Sequence, residues 1–318
     1  MSPHEPEHGH RHRSPHQNPH PHGGQPRQGA GHGHHEVGHA VDWAEMAVLL
    51  ERQAEIESPL YAEAAAWLGT LLPDDGVRRI LDIGSGPGVL TALLAEAFPA
   101  AETVAVDGTP ELLERARDRA EARGLGGRLT TLHAELPAAI GGLGDADLLW
   151  AANTLHHMGD QRAALAAFAE RLRPGGLLVL VEGGLPARHL PWNQGIGRPG
   201  LEARLDALHA EWFGEMRSAL PGARDEVDDW PALLFAAGLT PAGTRTFLAD
   251  SPAPVAPVVR EQAVAHFERL RVTYEGSAAE DDLKALDRLL DPSEPLSLPR
   301  RTDLFRLAAR TVHAARKG

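Results

Sequence analysis

Apolar residues recur along this chain with two alternating periods. From Val41 onward, Trp43, Met46, Ala47, Leu50 and Ala54, then Leu60, Ala64, Trp67, Leu68 and Leu71, fall at helical intervals. The proline in Ser58-Pro59 interrupts that stripe and predicts two helices rather than one. A short apolar run, Ile80-Leu81-Asp82-Ile83, then ends in glycines and reads as a buried strand. Val89, Leu90, Leu93, Leu94 and Ala97 resume helical spacing, and Thr103-Val104-Ala105-Val106 reads as a second strand that delivers Asp107. Thr109 as cap, Pro110 at the first position and Gly124 beyond the end bracket the next helix. Strands follow at 129–132 and 147–151, then a helix at 161–172, and Arg173-Pro174-Gly175-Gly176 turns the chain into a fifth strand at 177–181. Strand alternating with helix predicts a parallel α/β sheet whose strands present their C-terminal ends to a ligand.

The pattern then changes. Glu182-Gly183-Gly184-Leu185-Pro186 is expected to end the fifth strand, and a loop at 188–199 carries His189, Trp192, Asn193 and Arg198. A helix at 201–220 follows with Trp212, Phe213 and Met216, then a shorter helix from Trp230 to its terminating glycine, Gly238. Residues 244–248 and 304–312 read as two further strands, separated by a stretch with helical periodicity around 264–272 and 283–290. The expected organisation is a tail at 1–39, N-terminal helices at 40–75, a core at 76–185, an insertion at 186–228, and a C-terminal part of the core at 229–318 with a helical insertion at about 252–300.

The chemistry is concentrated around the first strand. Gly84, Gly86 and Gly88 form G-x-G-x-G, and Asp107 stands at the tip of the next strand, where an acidic residue can hold a ribose. The dinucleotide fingerprint needs a third glycine or alanine at position 89, which is Val89, so a pyrophosphate ligand is disfavoured. Asp82 would repel a diphosphate but could accept bonds from an ammonium group or a turn amide. The stretch from Leu81 to Gly88 resembles motif I of the class I S-adenosylmethionine-dependent methyltransferases. The resemblance continues through Glu135 after strand three, Asn153-Thr154-Leu155-His156-His157 after strand four, and Leu172-Arg173-Pro174-Gly175-Gly176 before strand five.

That resemblance implies a Rossmann-like, doubly wound seven-stranded sheet with strand seven antiparallel, N-terminal helices over the cofactor mouth, and a helical lid made by the insertions. It implies S-adenosylmethionine as cofactor, with Asp82, Gly84, Ser85, Gly86 and Gly88 against the methionine part and ribose, and Asp107 accepting the ribose hydroxyls. Gly108, Glu135 and Leu136 would meet the adenine, and Asn153 the methionine end. His156 or His157 would lie near the methyl group as candidate base, with Asp160, His189 and His209 as weaker ones. His189, Trp192, Arg198, Trp212 and Met216 would line the acceptor pocket, although the same aromatic and methionine spacing also suits plain packing. On this reading Asp107→Ala weakens cofactor binding with little change in folding.

Composition narrows the choice of partner. The chain has 318 residues, no cysteine and a net charge of -13, which excludes disulfides and thiolate chemistry and argues against nucleic acid. No apolar run reaches the ~20 residues of a membrane span, and no signal-like stretch opens the chain, so a cytoplasmic protein without membrane partners is expected. The first 39 residues contain 11 of the 18 histidines with much Pro, Gly and Gln, and are expected to stay disordered with adventitious affinity for divalent metals. No catalytic metal is expected. The function the resemblance implies is methyl transfer to an oxygen or nitrogen of a small-molecule acceptor, in secondary metabolism. An NAD-dependent oxidoreductase, an aminopropyltransferase, and a non-catalytic cofactor-binding or metal-binding protein stand as alternatives.

Overall fold

The computed structural model describes residues 43–72 and 76–318; the expected histidine-rich tail lies outside them. A helix, α1 (Trp43–Leu71), leads into β1 (Arg79–Ile83), α2 (Val89–Ala97), β2 (Glu102–Asp107), α3 (Pro110–Ala122) and β3 (Leu129–His133). Then come β4 (Ala146–Ala152), a 3-10 turn at Leu155–His157, α4 (Gln161–Glu170) and β5 (Leu172–Arg188). The remainder is α5 (Leu201–Ser218), α6 (Trp230–Ala236), β6 (Leu239–Ser251), α7 (Pro257–Thr273), α8 (Glu280–Leu290) and β7 (Arg306–Lys317). The strands form one seven-stranded sheet in the order β3-β2-β1-β4-β5-β7-β6. Strands β1 to β5 pair in parallel, while β7 runs antiparallel to both β5 and β6. This is the doubly wound, Rossmann-like sheet with an antiparallel seventh strand, and its order reverses at β1 and β4, where such sheets bind ligands.

The central strands are buried on both faces, which is why they read as continuous apolar runs. Leu81 and Ile83 join Val104, Val106, Leu149 and Phe168 on one face; Ile80 joins Leu148, Trp150, Val179 and the α1 residues Leu60, Ala64 and Leu68 on the other. Asp160 and Asp229 set the starts of α4 and α6, each accepting a hydrogen bond from the backbone N–H three residues on. Asp160 also pairs with Arg224 at 2.7 Å. That carboxylate is thus committed to structure rather than proton transfer.

Two local expectations are corrected. First, α1 is one continuous helix with Pro59 inside it, not two helices. A proline removes the N–H that would bond the carbonyl four residues back. Here that carbonyl, on Glu55, accepts the Ser58 hydroxyl instead at 2.8 Å, while Leu60, Tyr61, Ala64 and Leu68 keep the following turns packed on the sheet. Second, β5 does not end at Val181. Residues 173–176 form an irregularity within it, where the pairing with β4 jumps from Leu172 to Leu177. Beyond Gly183 and Gly184 it continues beside β7 as far as Arg188, opposite Leu307. Glycines mid-strand read as an end from sequence, yet both have positive φ and act as a bulge that lets the hairpin bend and carry on.

Helices α5, α7 and α8 cover this extended hairpin and have an apolar cluster of their own. Leu201, Leu205, Phe267, Leu286 and Leu289 meet Leu190 and Leu304 there.

Candidate active site

At the C-terminal ends of β1 and β2, backbone and one carboxylate build a cradle. The N–H groups of Gly84 and Ser85 both bond the Val106 carbonyl, at 2.8 and 3.1 Å. Asp107 then accepts the Gly86 N–H on Oδ2 and the Thr109 N–H on Oδ1, both at 2.9 Å. Gly84, Gly86 and Gly88 all have positive φ, between 54° and 75°, where a side chain is strained. A Cβ on Gly88 would come within 2.5 Å of Ala116 and one on Gly84 would strike Thr154, whereas one on Gly86 would meet only open space. Gly86 is therefore where the loop faces open space, and the nearby Ser85 hydroxyl is buried without a partner.

Asp82 lies under this loop, only 1% exposed, and its partner is the Thr91 hydroxyl at 2.6 Å rather than a turn amide. Burial, only partly offset by Thr91 and reinforced by the Asp107 carboxylate, pushes its acid up to about 7. On the β3 side, Gly108 lies against Glu135, whose carboxylate would be 3.2 Å from a Cβ added there. Leu136 is half-buried against the core below. His133 bonds the Gly108 carbonyl at 3.0 Å and lies 3.7 Å from Glu135, so this edge is polar and open.

After β4 the chain turns sharply. Asn153 is the one non-glycine residue with positive φ among the described residues, at 50°. Its backbone N–H bonds Val181, and its side chain reaches the Tyr61 phenol. Thr154 then bonds the carbonyls of Ile83 and Ala152 through its hydroxyl, tying β1 to β4. Glu182 of β5, 4% exposed, organises the rest. One oxygen accepts the N–H groups of Thr154 and Leu155, at 3.0 and 2.8 Å, and the other meets His156 Nδ1 at 3.0 Å. An ionised carboxylate only accepts, so His156 carries its proton on Nδ1 and leaves Nε2 free. His157 packs its ring 4.2 Å from that of His156, and burial and that neighbour hold its pKa below the usual imidazole range. Glu182→Ala would strand two buried N–H groups and release His156. A loss of about 2–3 kcal/mol in urea unfolding is expected, with none of it recovered in a His156→Ala background if the loop contacts dominate.

A second feature is a cavity of about 560 Å³ between α1, α5, α7 and the ends of β5 and β7. His189, His209 and Trp212 line it, with His266 and Arg269 of α7 and Arg306 and Arg310 of β7. Helical spacing puts Leu205, His209 and Trp212 on one face of α5. The other proposed pocket residues lie elsewhere. Trp192 is 76% exposed beside a separate, smaller hollow; Arg198 pairs with Asp282 of α8 at 3.3 Å; and Met216 lies a turn beyond Trp212, outside the lining. Phe213 bridges the two regions, its ring 5.3 Å from His156 and 6.3 Å from His209.

The cavity wall is also joined to the loop after β4 through buried charge. Glu57 accepts from Arg306, from Arg310 at 2.9 Å and from the Tyr61 hydroxyl at 3.4 Å, and Tyr61 reaches Asn153. Glu57, Tyr61, Thr91, Thr154, Glu182, Arg306 and Arg310 were not apparent from sequence. Their partners are distant in the chain, and only Glu182, a carboxylate at the C-terminal end of a core strand, carried any local signal.

No helix among the described residues is long and apolar enough to cross a membrane, and no group of three or more His, Cys, Asp or Glu among them could hold a metal.

The strand order, the glycine cradle and the acidic tip of β2 define the class I methyltransferase architecture. Residues 80–176 match the family described as "Methyltransferase domain", so this segment carries a methyltransferase domain. Among its relatives, a trans-aconitate 2-methyltransferase of Methylobacterium radiotolerans is 31% identical over 191 residues, 52% of this chain and 65% of that protein. A demethylmenaquinone methyltransferase of Thermus thermophilus is 39% identical over 106 residues, 33% of this chain and 47% of that protein. The solved structure of Haemonchus contortus phosphoethanolamine N-methyltransferase 2 with S-adenosyl-L-methionine aligns over 79% of this chain and 51% of that one, at 16% identity and a TM-score of 0.42. The chain thus spans about half to two thirds of the length of these curated relatives.

Proposed function

We infer that the protein binds S-adenosylmethionine at the β1–β2 cradle and transfers its methyl group to an oxygen or nitrogen of a small molecule held under the helical layer. The observation that carries this reading is the Asp107 carboxylate, fixed by two backbone N–H groups at the strand tip beside the open face of Gly86. Each of its oxygens keeps a lone pair for a ribose hydroxyl. When bound, the cofactor supplies an electrophilic methyl group, so the protein's task is orientation, exclusion of water and acceptance of a proton. The first falls to the loop at 84–88 and to Asn153, the second to α1 and α5, and the third to His156 Nε2, with Glu182 holding the other ring nitrogen. A cytoplasmic setting and a role in secondary metabolism accord with this reading.

Calorimetric titration with S-adenosylmethionine, S-adenosylhomocysteine and NAD is the direct test. Micromolar binding of the first two alone supports it, and binding of NAD instead would replace it by the oxidoreductase reading. Asp107→Ala is expected to weaken S-adenosylmethionine by about 2–4 kcal/mol, the worth of two charge-assisted hydrogen bonds. Because Asp107 also anchors Gly86 and Thr109, the same variant should lose about 1–3 kcal/mol of stability, more than the little change in folding expected from sequence. Unchanged affinity in a folded variant would remove Asp107 from the site.

A further inference from the structure

The wall of the cavity contains buried polar groups of opposite kind that have no partner. Arg306 is 1% exposed; its Nη2 donates to Glu57, but its Nε and Nη1 bond nothing. His189 is equally buried, and its Nδ1 lies 3.3 Å from Glu202, whose carboxylate also accepts the backbone N–H groups of His189 and Leu190. Glu202 can only accept, so the ring proton sits on Nδ1, and in the neutral ring Nε2 is a bare acceptor. That Nε2 has no partner either, and neither has Oε1 of Gln262 on α7. Orphaned buried groups are rare in native proteins and costly, most of all on a charged donor. Arg306, His189 and Gln262 all line a cavity whose size is within the usual range for small-molecule sites, which makes it the candidate place for the missing partner.

The charges on the wall indicate what that partner is. Arg269, Arg306 and Arg310 stand against Glu57, Glu202 and Asp206, and Asp206 is already paired with Arg188 behind it. With neutral imidazoles this leaves a surplus of one positive charge. His266 stays neutral, since burial and the neighbouring His189, Arg269 and Arg306 push it down to about 3. The rest of the wall is mixed, with Met46, Leu205, Leu270 and Trp212 beside Gln53, Thr273 and Tyr274, and the His209 ring stacks on Trp212 at 25°.

We propose that the cavity takes a flat, ring-bearing small molecule carrying one carboxylate and at least one hydroxyl group. The carboxylate accepts from Arg306 Nε and Nη1, and the hydroxyl donates to His189 Nε2. A single surplus cation suits a monoanion; a tricarboxylate or a phosphate monoester would bring more charge than the wall neutralises. Naming this ligand the methyl acceptor rests on the methyl-transfer reading, whereas its recognition does not.

The test is calorimetric titration of the full chain with 4-hydroxybenzoate and 4-hydroxycinnamate, their carboxamides, and benzoate, alongside a separate titration with S-adenosylhomocysteine. At least one hydroxy acid is expected to bind ten-fold or more tightly than its amide, and benzoate several-fold more weakly than 4-hydroxybenzoate. Arg306→Gln is expected to erase the preference for acid over amide, with S-adenosylhomocysteine binding reporting that the variant is folded. Should Arg306→Gln not fold, the acid-to-amide ratio of the unaltered protein decides. Amides that bind as well as acids, or no hydroxy acid bound by protein that binds S-adenosylhomocysteine, would overturn the proposal. Hydroxy acid bound with the expected preference but no S-adenosylhomocysteine would uphold the cavity assignment and overturn the methyl-transfer reading instead.

Discussion

Glu57→Gln is expected to destabilise the protein by about 3–5 kcal/mol, among the largest single-residue losses available in it. Glu57 is the counter-charge for the buried guanidinium of Arg306 and the half-buried one of Arg310, and it receives the Tyr61 hydroxyl as well. The glutamine has the same shape but no charge, and one of its two terminal atoms is a donor that faces other donors. The arginines would then lose their counter-charge at the cavity wall, with Arg306 almost wholly shielded from solvent. Urea unfolding at neutral pH measures the loss, and a change below about 1 kcal/mol would mean that solvent reaches these groups and screens them. Burial and the Glu57 charge also push the Tyr61 phenol up to about 12, so in the folded protein it remains a hydrogen-bond donor throughout the physiological range.

Asp82→Asn is expected to act in the opposite direction, and only at higher pH. In the folded chain the Asp82 acid is raised to about 7 from its ordinary 3.8. Between those values the unfolded chain has lost this proton and the folded chain retains it. Stability therefore falls as pH rises through that window, and above pH 7 the fold bears the whole cost of an ionised buried carboxylate. That cost is on the order of 4 kcal/mol from the size of the shift, an upper figure for a group buried this completely. Asparagine can still accept the Thr91 hydroxyl without any charge. In cofactor-free protein the variant should be several kcal/mol more stable than the parent at pH 8, with the difference fading towards pH 4. Parallel unfolding curves at the two pH values test this, and a difference independent of pH would show that Asp82 does not titrate in this range. If Asp82 meets the cofactor's ammonium group, the same variant should bind S-adenosylmethionine less tightly while being more stable, so that affinity and stability part company at this position.

The parts that could be read in the chain are those governed by local rules. The glycine loop, Asp107, the helix starting at Pro110 and the strands up to Val181 follow from short-range periodicity and from residues with special backbone freedom. Pro59 misled because its effect depends on a compensating hydroxyl one residue earlier and on a sheet that holds the following turns in place. Gly183 and Gly184 misled for a related reason. Glycine marks both the end of a strand and a bulge within one, and only the pairing partner, here β7, distinguishes them. The acceptor side was least legible. Trp192 and Arg198 have the composition of a pocket, but one faces outward and the other serves Asp282, whereas the cavity depends on Arg306 and Glu57, 249 positions apart. A contact across that separation leaves no periodic trace.

The helical layer formed by α5, α7 and α8 has an apolar cluster separate from those on the two faces of the sheet. A unit with its own core can open locally without unpacking the strands that form the cradle. Amide protons in that layer should then exchange together with one common opening rate.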